Sequence, residues 1–505
     1  MAEGTQTVFL SPLDQFLGIF NLNIFLVFKT ADPVHAVERL RLGLERVNQL
    51  LPYIKGEILS TVADPEGRGR LSIRWSATDK NIELTEARVE PDGEGQTALS
   101  LVSFDELKKT GAPLRYFPNH LNPLPSWAAP DTNVNHPVLA VNYTLVKGGV
   151  VLGVGIHHGV MDLPGLGLFI RLWADCTRLH GHDIPKEAIP VMDEPLHRGR
   201  LLRLAAGLSA ECENIKSDDV RLGQLLERHP ELRLRPDLKT TSGPSHGPSQ
   251  PLPPASAKVF AFDWSKVDSV KTAIQEHAER SGMLLEAEWL TTVNVLRTII
   301  WICIVQVRAE RRGRLDSAVS AVSFAIDGRK KMGLAEGPFL GNAFFFGRTE
   351  MVVSEFKKAD LAFDGTAASG APCPDLNCLA RLVKAIAHSH QQLTLERMAE
   401  VIDLMDRAPN VRDLIPNRDM MDGPDVLIVD WGKTPLLSSD FGVGVGEPQF
   451  LRLVPGGGRD GHAMILPRNA ERVGKGPERV DVLVAMRSED MAALDRHAAW
   501  KSYLV

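Results

Sequence analysis

The stretch "SGPSHGPSQPLPPAS", Ser242 to Ser256, constrains the fold more than any other part of this chain. Its prolines lack the amide donor that a helix or sheet interior needs, and its glycines and serines bury little side chain. It therefore reads as an exposed connection. At 505 residues the chain is too long for one ordinary core. The connection divides it into two halves of similar size, 1–241 and 257–505. Both halves mix strand-like and helix-like text, with no fixed-period repeat. This predicts an α/β fold with mixed sheets, and the default place for a ligand lies between the halves.

In the first half, "NLNIFLVFKT" has the Phe, Ile and Val content of a strand. "DPVHAVERLRLGLERVNQLLPYI" puts Val37, Leu40, Leu44 and Val47 at helical spacing. "RLSIRWSA" and "IELTEARV" are strand-like, and "PVLAVNYTLVKGGVVLGVGIHH" reads as a hairpin turning at "VKGG", where glycine takes positive φ without strain. The helix "GLGLFIRLWADCTRL" follows. In the second half we expect a strand "AKVFAFDW", helices "SKVDSVKTAIQEHAERSG" and "EWLTTVNVLRTIIWICIVQVRAERR", and a strand running into "AIDGRKK". A loop "EGPFLGNAFFF", one helix near 380–408, and the strands of "DVLIVDWG", "GHAMILPR" and "RVDVLVAM" complete it.

A formal net charge of -6 provides no global field for nucleic acid or anionic lipid. Five scattered cysteines (Cys176, Cys212, Cys303, Cys373, Cys378) make no disulfide framework and complete no zinc site, so no metal is expected. The N-terminus carries Glu3 and no basic region, unlike a signal peptide. The apolar run "FLGIFNLNIFLVF" is broken by Asn21 and Asn23 and is too short to span a bilayer. The expectation is a cytoplasmic, monomeric protein.

Chemistry concentrates in "VLGVGIHHGVMDLPGLGLFIRLW", where His157 and His158 end a β-like run and Asp162 precedes a helix. An imidazole titrates near neutrality and can take a hydroxyl proton as attack begins. The bland alternative makes Asp162 a helix N-cap, followed directly by Leu163 and Pro164, and makes the histidines ordinary strand-end residues. A second signal is "SSDFGVG", with Asp440, Gly442 and Gly444. It shares DFG with kinases, but no other kinase motif accompanies it, and a glycine turn explains it equally well.

Six segments, "LSPLDQ", "HHGVMD", "TTVNVLRTIIW", "AIDGRKK", "FLGNAFFF" and "DFGVG", stand in the order seen in the BAHD-type acyltransferases. The chain resembles the fungal branch typified by trichothecene 3-O-acetyltransferase, from about residue 9 to 495. The resemblance implies two chloramphenicol-acetyltransferase-like domains with a channel between them. It also implies acyl-CoA as co-substrate, with no bound cofactor, and a small-molecule alcohol (less often an amine) as acceptor. His158 would be the general base, Asp162 would pair with Arg329, and Asp440 would shape the domain and the CoA entrance. Leu163 and Val443 replace the family's usual glycine and tryptophan.

For oxyanion or substrate contacts the candidates are His157, Thr291, Thr292, Asn342 and Trp431. Each has a bland reading as a turn, cap or core residue. Lys330, Lys331 and Arg312, the last in a basic cluster with Arg308, Arg311 and Arg314, are candidates for CoA phosphates. A condensation-type enzyme fed by a carrier protein and a non-catalytic or repurposed relative remain the alternatives.

Overall fold

The computed structural model describes residues 4–16, 20–59, 71–87, 99–126, 136–186, 189, 201, 218–234, 253–283, 285, 290–313, 317–334, 338–363, 374–408, 414–421, 423–453, 460–468 and 478–505. Residues 242–252 of the connection, Cys212, Cys373 and Arg314 lie outside them.

The first half is built on a five-stranded sheet in the order Pro448–Arg452, Asn21–Lys29, Gly149–His157, Leu139–Val146, Thr85–Glu86. The hairpin forms as expected, with Val146 opposite Gly149 and Gly148 at φ 78. Strand Asn21–Lys29 is buried along its first eight residues. Ile24, Leu26 and Phe28 face the helices Pro33–Leu50 and Leu163–Arg178. Phe25 and Val27 face a second cluster with Phe104 and Phe117. Central strands buried on both faces carry continuous apolar text.

The second half holds a six-stranded mixed sheet: Ala255–Asp263, Arg479–Arg487, His462–Ile465, Val426–Asp430, Val319–Asp327, Phe344–Val352. Val426–Asp430 runs parallel to both of its neighbours. Helix Thr292–Arg312 is the core helix of this half, with Ile299, Ile300, Trp301 and Ile304 fully enclosed. Its length and composition would suffice for a membrane span, but 83% of its most apolar stretch is buried inside the protein.

The halves exchange pieces. Pro448–Arg452 from the second half edges the first sheet, and Trp431, Leu436 and Phe441 join the first core. In return, Leu232–Leu234 pairs with Leu414–Pro416. Three sequence expectations change. Among the described residues, "IELTEARV" contributes only Thr85–Glu86, since the Ile82 amide donates to the Asn48 side chain instead of a neighbouring strand. The "FFF" of the glycine loop opens strand Phe344–Val352, with Phe344 opposite Asp327. The helix near 380–408 is two helices, Leu376–Gln391 and Leu395–Arg407, because Thr394 caps the second.

Candidate active site

Strand Gly149–His157 delivers the two histidines to the end of the first sheet. His157 is the last strand residue, opposite Asn21, and is buried with its Nδ1 accepting the Gly159 amide at 3.2 Å. His158 is the first turn residue and is half-buried. Its amide extends the ladder to the Phe20 carbonyl at 3.1 Å. Its ring meets Phe20 edge-on at 5.1 Å and Phe344 at 6.4 Å between centroids. Phe20 belongs to the first half and Phe344 starts the last strand of the second sheet, so His158 sits on the seam. His157 is enclosed below it and supports the turn.

Asp162 caps helix Leu163–Arg178 by accepting the Gly165 amide at 2.9 Å. The same carboxylate takes both terminal nitrogens of Arg329, at 2.6 and 2.9 Å, and the Ala343 amide at 3.0 Å. Arg329 spends all five N–H groups: two on Asp162, one on Asp327, and two on the carbonyls of Phe339 and Gly341. Burial works against its charge, but Asp162 and Asp327 outweigh that cost and hold the guanidinium above its usual range. With its oxygens so occupied, Asp162 is a clasp between the halves. The cap and the ion pair of the sequence reading turn out to be one arrangement.

The clasp requires close approach. A Cβ on Gly165 would stand 1.9 Å from the Leu340 carbonyl oxygen. Gly165→Ala is expected to destabilise the protein by about 1–3 kcal/mol or more through overpacking, read as a lowered unfolding midpoint. Leu163, at the usual glycine of the family, is packed in the first core.

The residue that the sequence reading missed is Asp14, in the quoted "LSPLDQ". Its Oδ2 accepts the Ser11 amide (3.1 Å) and hydroxyl (2.6 Å), while the Ser11 hydroxyl takes the Asp14 amide. That is a capping box, legible as S-x-x-D. Its Oδ1 accepts the backbone amide of Asn342 at 2.7 Å and the Asn342 side-chain amide at 2.8 Å. The other side-chain N–H of Asn342 donates to the His158 carbonyl at 2.9 Å. Both Asn342 donors are therefore taken, which removes Asn342 as an oxyanion donor. Burial pushes Asp14 up to about 6, against the lowering by its hydrogen bonds from Ser11 and Asn342.

The other candidates are dispersed. Thr291 caps helix Thr292–Arg312, and Thr292 donates to Asp268 at 2.7 Å. Trp431 is buried in the first core. Arg312 ends the same 21-residue helix that Thr291 starts, so the two are separated by about 30 Å. Within the basic cluster, Arg308 is buried against Asp460 (2.7 Å) and Arg311 is paired with Asp490 (2.6 Å). Lys330 is exposed, and Lys331 donates to the Leu393 carbonyl at 2.6 Å. A group that the sequence did not suggest lies at this end of the second sheet. Arg297, fully enclosed, sits 4.6 Å over the Phe324 ring, and His390 stacks on that ring at 4.7 Å. Burial, then Arg297, Lys331 and Lys433, push His390 down to about 3, so it is neutral.

Asp440 accepts the Gly442 amide at 2.9 Å, and Gly442 and Gly444 stand at φ 86 and 90, a turn that only glycine adopts without strain. Phe441 packs on Phe28 and Trp173, and the Gly444 carbonyl accepts from Thr30 at 2.7 Å. A pocket of about 640 Å³ opens here, lined in part by Lys29, Arg39, Arg178 and Asp440. Val443, 93% exposed, stands on its rim.

Among the described residues the thiols give no nucleophile: Cys176, Cys303 and Cys378 are buried, and burial pushes Cys176 up to about 12 and Cys378 to about 11. The half-buried His158 imidazole lies where the two mixed sheets meet, between Phe20 and Phe344. In comparison with known proteins, a family model described as the Transferase family matches residues 3–500, and the chain belongs to this family, the BAHD-type acyltransferases. It is 26% identical to a trichothecene 8-O-acetyltransferase of Fusarium sporotrichioides, covering 99% of this chain and 98% of the relative. It is 24% identical to the trichothecene 3-O-acetyltransferase TRI101 of the same fungus, covering 95% and 92%. The crystal structure of F. graminearum TRI101 with coenzyme A and deoxynivalenol superposes with a TM-score of 0.72 at 20% identity, covering 99% of each chain, which fixes the α/β fold.

Proposed function

We propose that this enzyme transfers an acyl group from acyl-CoA to a hydroxyl of a small secondary metabolite, with His158 as general base in a ternary complex. The half-buried imidazole at the seam, between Phe20 and Phe344, carries the reading. His158 takes the acceptor proton as the oxygen attacks the thioester carbonyl. The tetrahedral intermediate collapses and expels CoA thiolate, which receives the proton from the imidazolium. Residues 1–241 and 257–505 act as the two domains that approach the base from either side, joined by 242–256. Lys331 remains a candidate for the anionic end of CoA, with the exposed Lys433 beside it. These cations gather near the carboxyl ends of parallel strands, where ligands commonly bind.

The test needs no known acceptor. The protein is incubated with acyl-CoAs from acetyl to long-chain and aromatic, and free thiol is followed for the wild type and His158→Ala. Slow hydrolysis by the wild type, lost in the variant, supports the reading and names the donor. Absence of binding and turnover with every acyl-CoA would overturn it in favour of a carrier-protein donor or a non-catalytic role.

A further inference from the structure

We infer that Asp14 is a positioning residue for His158, acting through Asn342 to fix the main chain that carries the imidazole. The inference rests on His158 as the base and deepens that reading.

Every contact of the Asp14 carboxylate is with a donor: the Ser11 amide and hydroxyl on one oxygen, the Asn342 amide and side chain on the other. A protonated carboxyl would bring a fifth donor into this set and lose at least one acceptor bond. The ionised form is therefore the one that holds Asn342 in place. Asn342 has two side-chain N–H groups, and the second is delivered to the His158 carbonyl only while the first is held by Asp14. The tie runs from the first helical turn of the chain, through a loop of the second half, to the residue bearing the base. A Cβ on Gly159 would lie 3.2 Å from the Asp14 carbonyl, so the turn rests directly on this segment.

The elements packed around Asp14 bring other charged groups close. Asp162 and Arg329, closed on each other, flank Asn342. His157 and His158 lie on the overlying turn. Helix Leu395–Arg407, packed on Pro12–Phe16, holds Asp403 against Arg221 and Arg407 and Glu400 against Arg228 and His229. Its Glu231 partner Arg397, its surface Glu396 and its half-buried Asp406 complete the set. The donors on the Asp14 carboxylate come from Ser11 and Asn342 alone.

The consequence for pH has two sides. Asp14 titrates at about 6 in the fold, above its ordinary value of 3.8. A raised pKa adds stability that is complete below about pH 4 and is lost as pH rises through about 6. The ionised carboxylate thus weakens the fold while it serves the site. Activity should run the other way, falling as pH drops through about 6 because the tie to Asn342 opens.

The experiment measures kcat and the KM for acyl-CoA from pH 5 to 9 for the wild type, Asp14→Ala, Asp14→Asn and Asn342→Ala, with unfolding midpoints. Asp14→Ala and Asn342→Ala are expected to lower kcat by about 10–100-fold, the cost of a misaimed group, with KM little changed. Asp14→Asn mimics the protonated carboxyl and sets an amide N–H against the Ser11 and Asn342 donors, so its kcat should stay well below the wild type even at pH 8. Its profile should lack the fall near pH 6 that Asp14 gives the wild type. A wild-type pH profile in Asp14→Asn, or loss of kcat in proportion to the unfolding midpoint alone, would overturn the inference. If His158→Ala retains turnover, the base assignment itself fails. If His158→Ala is inactive while Asp14→Ala matches the wild type, only the positioning role fails.

Discussion

Replacing His158 by alanine lowers kcat by about 10²–10⁴-fold, the range for loss of a positioned general base, and leaves the protein folded. The main-chain bonds of His158, to the Phe20 carbonyl and from the Asn342 amide, survive the substitution. What is lost is a half-buried ring and its contacts with Phe20 and Phe344. Two weak aromatic contacts are worth about 1–3 kcal/mol at most, too little to unfold a chain of this size. The interaction removed exists only as the proton moves, so KM for acyl-CoA should change little while kcat and kcat/KM fall together. His158→Gln keeps polarity and approximate length but has no pKa near neutrality, so it should be as slow as alanine. Steady-state kinetics beside thermal unfolding decide this. A loss below about tenfold in both variants would place the base elsewhere.

The sequence carried the local pieces of this site and not their union. The His158 strand end, the helix cap at Asp162 and the capping box of Ser11 and Asp14 each follow from a short stretch of text, because periodicity and capping are local physics. Arg329 was reached by resemblance, since a salt bridge spanning 167 residues leaves no trace in spacing. Asp14 shows why the rest stayed hidden. One of its oxygens serves the local box, and the other waits for Asn342, 328 residues away. The engagement of Asn342 stayed hidden for the same reason: a turn amide looks like a free donor until both of its hydrogens are seen to be engaged. The pocket at Asp440 and the Arg297–His390 stack depend likewise on which strands become neighbours. The edge strand Pro448–Arg452 crossing to the first sheet is a further nonlocal fact that no single segment announces.

Asp162→Ala should cost about 3–5 kcal/mol of stability, because it strands the Arg329 charge inside the protein. Four donors lose their acceptor: two guanidinium N–H groups and the amides of Gly165 and Ala343. Asp162→Asn retains the cap and much of the shape, so it isolates the charge and should fall between alanine and wild type. Arg329→Met removes the cation instead, leaving Asp162 buried beside neutral neighbours, and should cost a similar amount. The double variant Asp162→Ala with Arg329→Met is the decisive comparison. Once neither charge remains, burial penalises nothing, and the pair should be less destabilised than the sum of the singles by about 1–3 kcal/mol. Denaturant unfolding measures all four. Kinetics then separate clasp from chemistry. If Asp162 acted on substrate, kcat would stay low even at temperatures where the variants are fully folded. If it only joins the halves, folded Asp162→Asn should retain kcat within about tenfold, far above His158→Ala. Strict additivity in the double variant would mean that Asp162 and Arg329 stabilise the fold independently, and that the seam is held by something other than this pair.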